Sequence, residues 1–421
     1  MKALISKSTI KGRVAAPSSK SYTIRGLMCT ALASGESRII NPLGSDDTEA
    51  AEDVLRKVGV RINREDSSWL VDGGNFQTPE SDLYCHESAA TLRFVTAIGS
   101  IIPGRCRLTA APSLSVRPVM PLIQALRQLG VDCSYHEKEM AVIVNGGSLT
   151  GGTTELPGNI SSQFVSALLL VSPFAGKGVQ IRLTTPLESQ SFVLMTLECL
   201  GAFGIEVRSS TDLRIFQTAR QEYKPAEYRV EGDWSSASYL LALGAISGEV
   251  EVENLNPNSL QGDRAILNIL SDMGAVITID GGLITVKKGK LKAIKADLSD
   301  CIDLLPTVAV LAAAAEGTST LTGIGRARLK ESDRISAVAE GLKKMAVAVT
   351  EENDRLIITG SPVKGAVIDT RSDHRIAMAF SVLGTLAGET IIEDSECVSK
   401  TYPEYWDTLK SIGGEVMING K

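Results

Sequence analysis

Residues 17–26 read P-S-S-K-S-Y-T-I-R-G and lead into an apolar run in which Ile24, Leu27, Met28, Ala31 and Leu32 recur at helical spacing. Lys20 and Arg25 therefore stand in the opening turns of a helix. That end carries a partial positive charge and favours acidic or neutral residues. A phosphate or carboxylate, held jointly by the end's N–H groups and by the two cations, removes the conflict. Ser21 and Arg25 are four residues apart and share a helix face. The combination recurs, with Arg93 in "ESAATLRF" and His374 and Arg375 in "SDHRIAMAF". Clustered cations at helix openings point to a polyanionic ligand.

Other charged positions read more plainly. "RARLKESDRISAVAEGLKKM" starts with Arg326, Arg328, Lys330, Glu331, Asp333 and Arg334 and becomes an amphipathic helix; alone it is a solvated, salt-bridged helix start. Lys400, in "CVSKTYPEYW", reads as a solvated loop lysine before a helix that Pro403 starts. Asp303 reads as the N-cap of "DLLPTVAVL". Ser161, Ser162 and Gln163 open another apolar helix and alone are ordinary capping residues.

The whole chain narrows the chemistry. Its 421 residues suffice for two or more domains, and its net charge of −6 gives no general basic surface for nucleic acid. Ser19 stands where a Walker loop needs Gly before Lys20, and no G-x-G-x-x-G follows a strand. The seven cysteines include no C-x-x-C pair and the three histidines no ligand spacing, so reduced thiols and no metal are expected. No signal-peptide core and no stretch long enough to span a bilayer occur, so a cytoplasmic protein without membrane attachment is expected.

The sequence also repeats at a period of about 70 residues. One signature is a short helix, a Gly-containing turn and an alternating strand: "RKVGVRI", "RQLGVDC", "GAFGIEV", "SDMGAVI", "KKMAVAV" and "KSIGGEV", the fifth with Ala346 in place of Gly. The other is an apolar helix, a Gly turn and a short strand, as in "GESRIIN" and "GEVEVEN". Six units in a row imply two domains of three, with a break near "YRVEGDW", residues 228–234. Residues 1–14 are expected to form one short strand that could pair with either half.

The motifs "SKSYTIR", "RPVMPL", "SSQFVSALLL", "EGDWSSASY", "LKESDRI", "SDHRIAMA" and "SKTYPEYW" occur in this order almost end to end. In them the chain resembles the enolpyruvyl transferases, and among these the branch whose acceptor is shikimate 3-phosphate. The resemblance implies an α/β fold, a two-domain inside-out α/β barrel. It would hold six βαβαββ units, three per domain, with buried apolar helices. It implies domains over 15–228 and over 229–421 with strand 1–14, closing like jaws over the substrates. It also implies transfer of the enolpyruvyl group of phosphoenolpyruvate to the 5-hydroxyl of shikimate 3-phosphate, without cofactor or metal, in a monomer.

The roles it implies are specific. Lys20, Ser21, Arg25, Ser161, Ser162, Gln163, Ser189, Asp303 and Lys330 would bind shikimate 3-phosphate. Lys20, Ala89, Arg117, Gln163, Arg334, Arg375 and Lys400 would bind phosphoenolpyruvate. Asp303 would be the base and Glu331 or Lys20 the acid. The family's N-[AS]-G-T-x-x-R reads "ESAATLR" here, with Glu87, Ala89 and Ala90 as departures; Phe192 replaces a tyrosine and Arg326 an asparagine. Ala89 in place of Gly implies that glyphosate, a competitor of phosphoenolpyruvate in the family, inhibits weakly. Two alternatives stay open: the sibling activity on UDP-N-acetylglucosamine, and a non-catalytic anion-binding clamp.

Overall fold

The computed structural model describes Met1 to Gly420 apart from Val116 and Ser148, so Lys421, the end of the expected second domain, lies outside the described residues. The chain divides into two units, Ser18–Val230 and Met1–Pro17 with Glu231–Lys421. Backbone pairing explains the crossing points. Glu227–Arg229 lies parallel to Gly35–Ile40, and the Val230 N–H donates to the Ile40 carbonyl at 2.9 Å, which keeps the chain in the first unit through Val230. Lys2–Ile5 pairs antiparallel with Thr390–Glu393 and Val416–Asn419, whereas Ile10–Ala15 pairs parallel with Gly248–Glu253. The expected single strand over 1–14 is thus two strands in two sheets, both in the unit with Glu231 onward.

Among the described residues the strands form six four-stranded sheets, three in each unit. Each joins an antiparallel set of three strands to one parallel edge strand. Gly35–Ile40 lies antiparallel to Ser68–Gly73, which lies antiparallel to Arg61–Glu65, with Glu227–Arg229 on the far edge. Ser37 and Ile39 face inward, so one face of the strand meets the core.

The apolar helices fill the interior. In the first unit they are α1 (Lys20–Leu32), α2 (Ala89–Ile98) and α3 (Ser162–Val171). In the second they are α4 (Trp234–Ser247), α5 (Leu305–Ala314) and α6 (His374–Ala387). In α4 every residue but Ser235 is buried, because an all-round apolar helix has no face to offer water. Helix α2 packs on α3, and α4, α5 and α6 pack on one another. Charged side chains on these helices are confined to the first two turns, as with Lys20, Arg25, Arg93, His374 and Arg375. No helix among the described residues is long and apolar enough to cross a membrane.

The turns after the short helices need a left-handed residue. Gly59, Gly130, Gly204, Gly274 and Gly413 have φ between 78° and 97°. Ala346 takes the same region at φ 65°, with its methyl exposed, so the fifth repeat keeps the turn at a steric cost.

Candidate active site

Unit Ser18–Val230 gathers the openings of α1, α2 and α3. Ser19 caps α1, its hydroxyl accepting from the Tyr22 N–H at 3.4 Å. Lys20 lies 2.9 Å from Asp47, a buried carboxylate at the start of helix Asp46–Lys57. Arg25 is only 2 % exposed. Its Nε donates to Thr196 Oγ1 at 2.8 Å, and its two terminal nitrogens donate to the carbonyls of Ser21 and Phe192, each at 3.0 Å. The rings of Phe94 and Phe192 lie against the guanidinium. These partners are all neutral. Burial therefore pulls the Arg25 pKa down, opposed only by weak acids such as Cys199 and Tyr22. A buried cation held by neutral groups fits an anionic ligand.

In the same unit, Ser161 caps α3 by accepting from the Gln163 N–H at 3.3 Å, and Ser162 is buried. Ser189 is buried at a left-handed φ of 52°, a strained start to helix Gln190–Ala202. Ala89 is the first residue of α2 and half-buried; Arg117 is half-buried in the turn that precedes helix Met120–Gln128. Arg93 is held by neutral groups as well. One terminal nitrogen donates to Gln163 Oε1 at 2.5 Å and the other to the Pro118 carbonyl at 3.3 Å.

The unit containing Glu231 onward carries a denser cluster. Asp303 does not cap α5. It sits in the 3-10 turn Ile302–Leu304 that precedes the helix, and Leu304 takes the cap position. Its carboxylate lies 2.8 Å from Arg334, 3.3 Å from Lys330 and 3.4 Å from Arg375. Burial alone would raise this carboxyl, but Arg375, then Lys330 and Arg334, outweigh it and hold it well below the usual range. Lys330 is shifted down, by burial first, with the neighbouring arginines opposing the attraction of Asp303.

Arg334 corrects the plain reading of a solvated helix start. It is 1 % exposed and its nitrogens donate to three carboxylates: Asp303, Glu331 and Asp373, the last from Nε at 2.8 Å. Lys400, read as solvated, is 5 % exposed in the 3-10 helix Ser395–Lys400, and the following α-helix starts at Tyr405, two residues past Pro403. Arg326 donates to the Ser299 carbonyl at 2.7 Å.

Sequence reading assigned no role to four acidic residues. Asp47 pairs with Lys20. Asp373 caps α6 by accepting from the Arg375 N–H and also accepts from Arg334. Asp233 caps α4 through the Ser236 N–H at 2.8 Å. Asp263, on the 3-10 turn Gly262–Ala265, is buried and accepts from Ser235. Burial first, then repulsion by Asp303, raises the Asp263 carboxyl to about 6. A cluster of cations in a buried site needs carboxylates to balance it, and that requirement was the one available signal. Residue type alone could not say which of 49 acidic residues would answer it.

The chain can thus hold polyanions through buried Arg and Lys in both units, with a carboxylate among the cations of one of them. A family model described as EPSP synthase (3-phosphoshikimate 1-carboxyvinyltransferase) matches residues 5–409. Two relatives from Dehalococcoides mccartyi, each named 3-phosphoshikimate 1-carboxyvinyltransferase, are 49% and 50% identical over 419 and 418 residues, 99% of each chain in both cases. A solved EPSP synthase from Acinetobacter baumannii superposes over 100% of both chains with a TM-score of 0.85 and 28% identity.

Proposed function

The chain belongs to the EPSP synthase family, and on that premise we propose how its residues divide the work. It is a transferase that moves the carboxyvinyl group of phosphoenolpyruvate to the 5-hydroxyl of shikimate 3-phosphate, in the biosynthesis of aromatic amino acids. In the addition step the 5-oxygen bonds to C2 of phosphoenolpyruvate, a base takes the hydroxyl proton, and an acid protonates C3. The tetrahedral intermediate then loses a C3 proton and inorganic phosphate, which restores the double bond. This chemistry needs cations on the phosphates and proton carriers at two positions.

Shikimate 3-phosphate is assigned to Lys20, Ser21, Arg25, Ser161, Ser162, Gln163, Ser189 and Lys330. The observation that carries this assignment is the buried Arg25 with neutral partners only, a positive charge that a substrate phosphate would balance. Phosphoenolpyruvate is assigned to Ala89, Arg117, Gln163, Arg334, Arg375 and Lys400, with Lys20 reaching both substrates. Arg334 already serves three carboxylates, so its main part is to orient Asp303 and Glu331.

Asp303 is the base. With Arg375, Lys330 and Arg334 around it, it is fully charged but a weak proton acceptor. Substrate anions that draw Arg375 and Lys330 to themselves weaken that hold and raise its basicity, which ties proton abstraction to substrate binding. Glu331 or Lys20 delivers the proton to C3. The enzyme works as a cytoplasmic monomer in this reading. The Ala89 methyl, at a position where the family has Gly, crowds the phosphoenolpyruvate pocket and makes glyphosate a weak inhibitor.

The test is steady-state phosphate release. Release that needs both substrates, with formation of the enolpyruvyl ether, supports the assignment. Release from phosphoenolpyruvate alone, or only with UDP-N-acetylglucosamine as acceptor, would overturn it.

A further inference from the structure

We propose that Arg93 is a positioning residue that fixes which end of the Gln163 amide meets substrate. The inference rests on the reading of Gln163 as a substrate-binding residue. A glutamine amide can turn over, presenting either an acceptor or a pair of donors. Arg93 decides between them. Its guanidinium donates into Gln163 Oε1 at 2.5 Å, so the oxygen is held inward and Nε2 is left to donate. Both substrates of the reaction are phosphorylated, and their oxygens accept hydrogen bonds.

The same guanidinium reaches a second element. Its other terminal nitrogen donates to the carbonyl of Pro118 at 3.3 Å, one residue beyond Arg117. Arg93 is 7 % exposed and its guanidinium carbon lies 5.4 Å over the Phe164 ring, next in sequence to Gln163. A planar, stacked fork with two donors set in one plane thus ties the opening of α3 to the backbone beside Arg117. Lysine keeps the charge and cannot make this bridge in a fixed plane. Arg93 acts on phosphoenolpyruvate through Gln163, although it lies on α2, whose opening was read as a direct anion site.

The test compares Arg93→Lys, Gln163→Ala and the double variant in the full-length enzyme. Arg93→Lys is expected to raise the KM for phosphoenolpyruvate about tenfold while kcat falls less than about threefold, with an unchanged melting temperature. In the Gln163→Ala background the same change is expected to add little, because its route of action is gone. Arg93→Ala is expected to recover in part when guanidinium is added, a rescue that a packing defect would not show. Additive effects, or a loss confined to kcat, would overturn the inference. Gln163→Ala harmful with Arg93→Lys silent would overturn it alone. Gln163→Ala without effect on either KM would overturn the reading of Gln163 and the inference with it.

Discussion

Arg334 Nη1 donates to Asp303 Oδ1 at 2.8 Å across 31 residues of sequence, and both side chains are buried. The same guanidinium also serves Glu331 and Asp373. Arg334→Ala would leave three carboxylates without this counter-charge. The expected loss is about 3–5 kcal/mol, the size seen when one member of a buried ion-pair group is removed. Urea unfolding measures it. A loss below about 1 kcal/mol would show that the carboxylates find other partners.

Asp263 gives the protein a distinctive pH response. Burial and Asp303 place its carboxyl near about 6 in the folded state, against roughly 3.9 for an unperturbed aspartate. The folded state then binds this proton more tightly than the unfolded state does. Its contribution to stability accordingly declines as pH rises through the window from about 4 to 6, by about 2–3 kcal/mol. Asp303 has the opposite sign: its depressed carboxyl adds stability above the unfolded value, lost only in strong acid. Asp263→Asn should flatten the decline and melt higher than the parent at pH 8. Calorimetry at a series of pH values checks this, and parallel curves for parent and variant would contradict it.

The assignment of Arg375 and Lys400 to phosphoenolpyruvate predicts a split between the two substrates. Arg375→Ala and Lys400→Ala are each expected to weaken phosphoenolpyruvate by roughly 1.5–3 kcal/mol, the worth of a charge-assisted hydrogen bond. Shikimate 3-phosphate should bind almost as before. Isothermal titration of each ligand is the measurement. Equal losses for both would show that the substrate assignments are wrong.

Ala346 predicts a gain. Its φ of 65° is easy for Gly and costs Ala about 1 kcal/mol, and its exposed methyl packs against nothing that would be missed. Ala346→Gly should raise the melting temperature by about 2 °C. The entropy that Gly adds to the unfolded chain works against this, so a lower melting temperature would mean that the entropy outweighs the relief of strain.

Much of this architecture was legible in the residues. The apolar helices announce themselves because no polar face interrupts them, as in "LLPTVAVLAAAA", which forms α5. The repeat was legible through its turns, since a left-handed position selects Gly five times in six. The candidate site was legible in its cations and not in their partners. Lys20 and Arg375 stand out at helix starts, where cations are unfavourable. Asp47, Asp263 and Asp373 look like ordinary first-turn acids, and their role depends on which side chains the tertiary fold brings to them. Arg25 and Arg93 look alike in sequence and both are held by neutral groups, but sequence gives no hint that Arg25 meets Thr196 and the Ser21 and Phe192 carbonyls while Arg93 meets Gln163 and Pro118. Lys400 misleads for the same reason: its loop-like surroundings in sequence give no hint of burial.

The central claim is that Asp303, set among Lys330, Arg334 and Arg375, moves the proton of the acceptor hydroxyl. Asp303→Asn keeps the shape of the side chain and removes the base. The most direct test is to measure turnover and shikimate 3-phosphate binding on the same preparation of this variant. The account predicts a fall in kcat of at least about a hundredfold, at the low end of the range for general-base catalysis, with binding changed less than about tenfold. Turnover near the parent rate would contradict it and would assign the base to another residue.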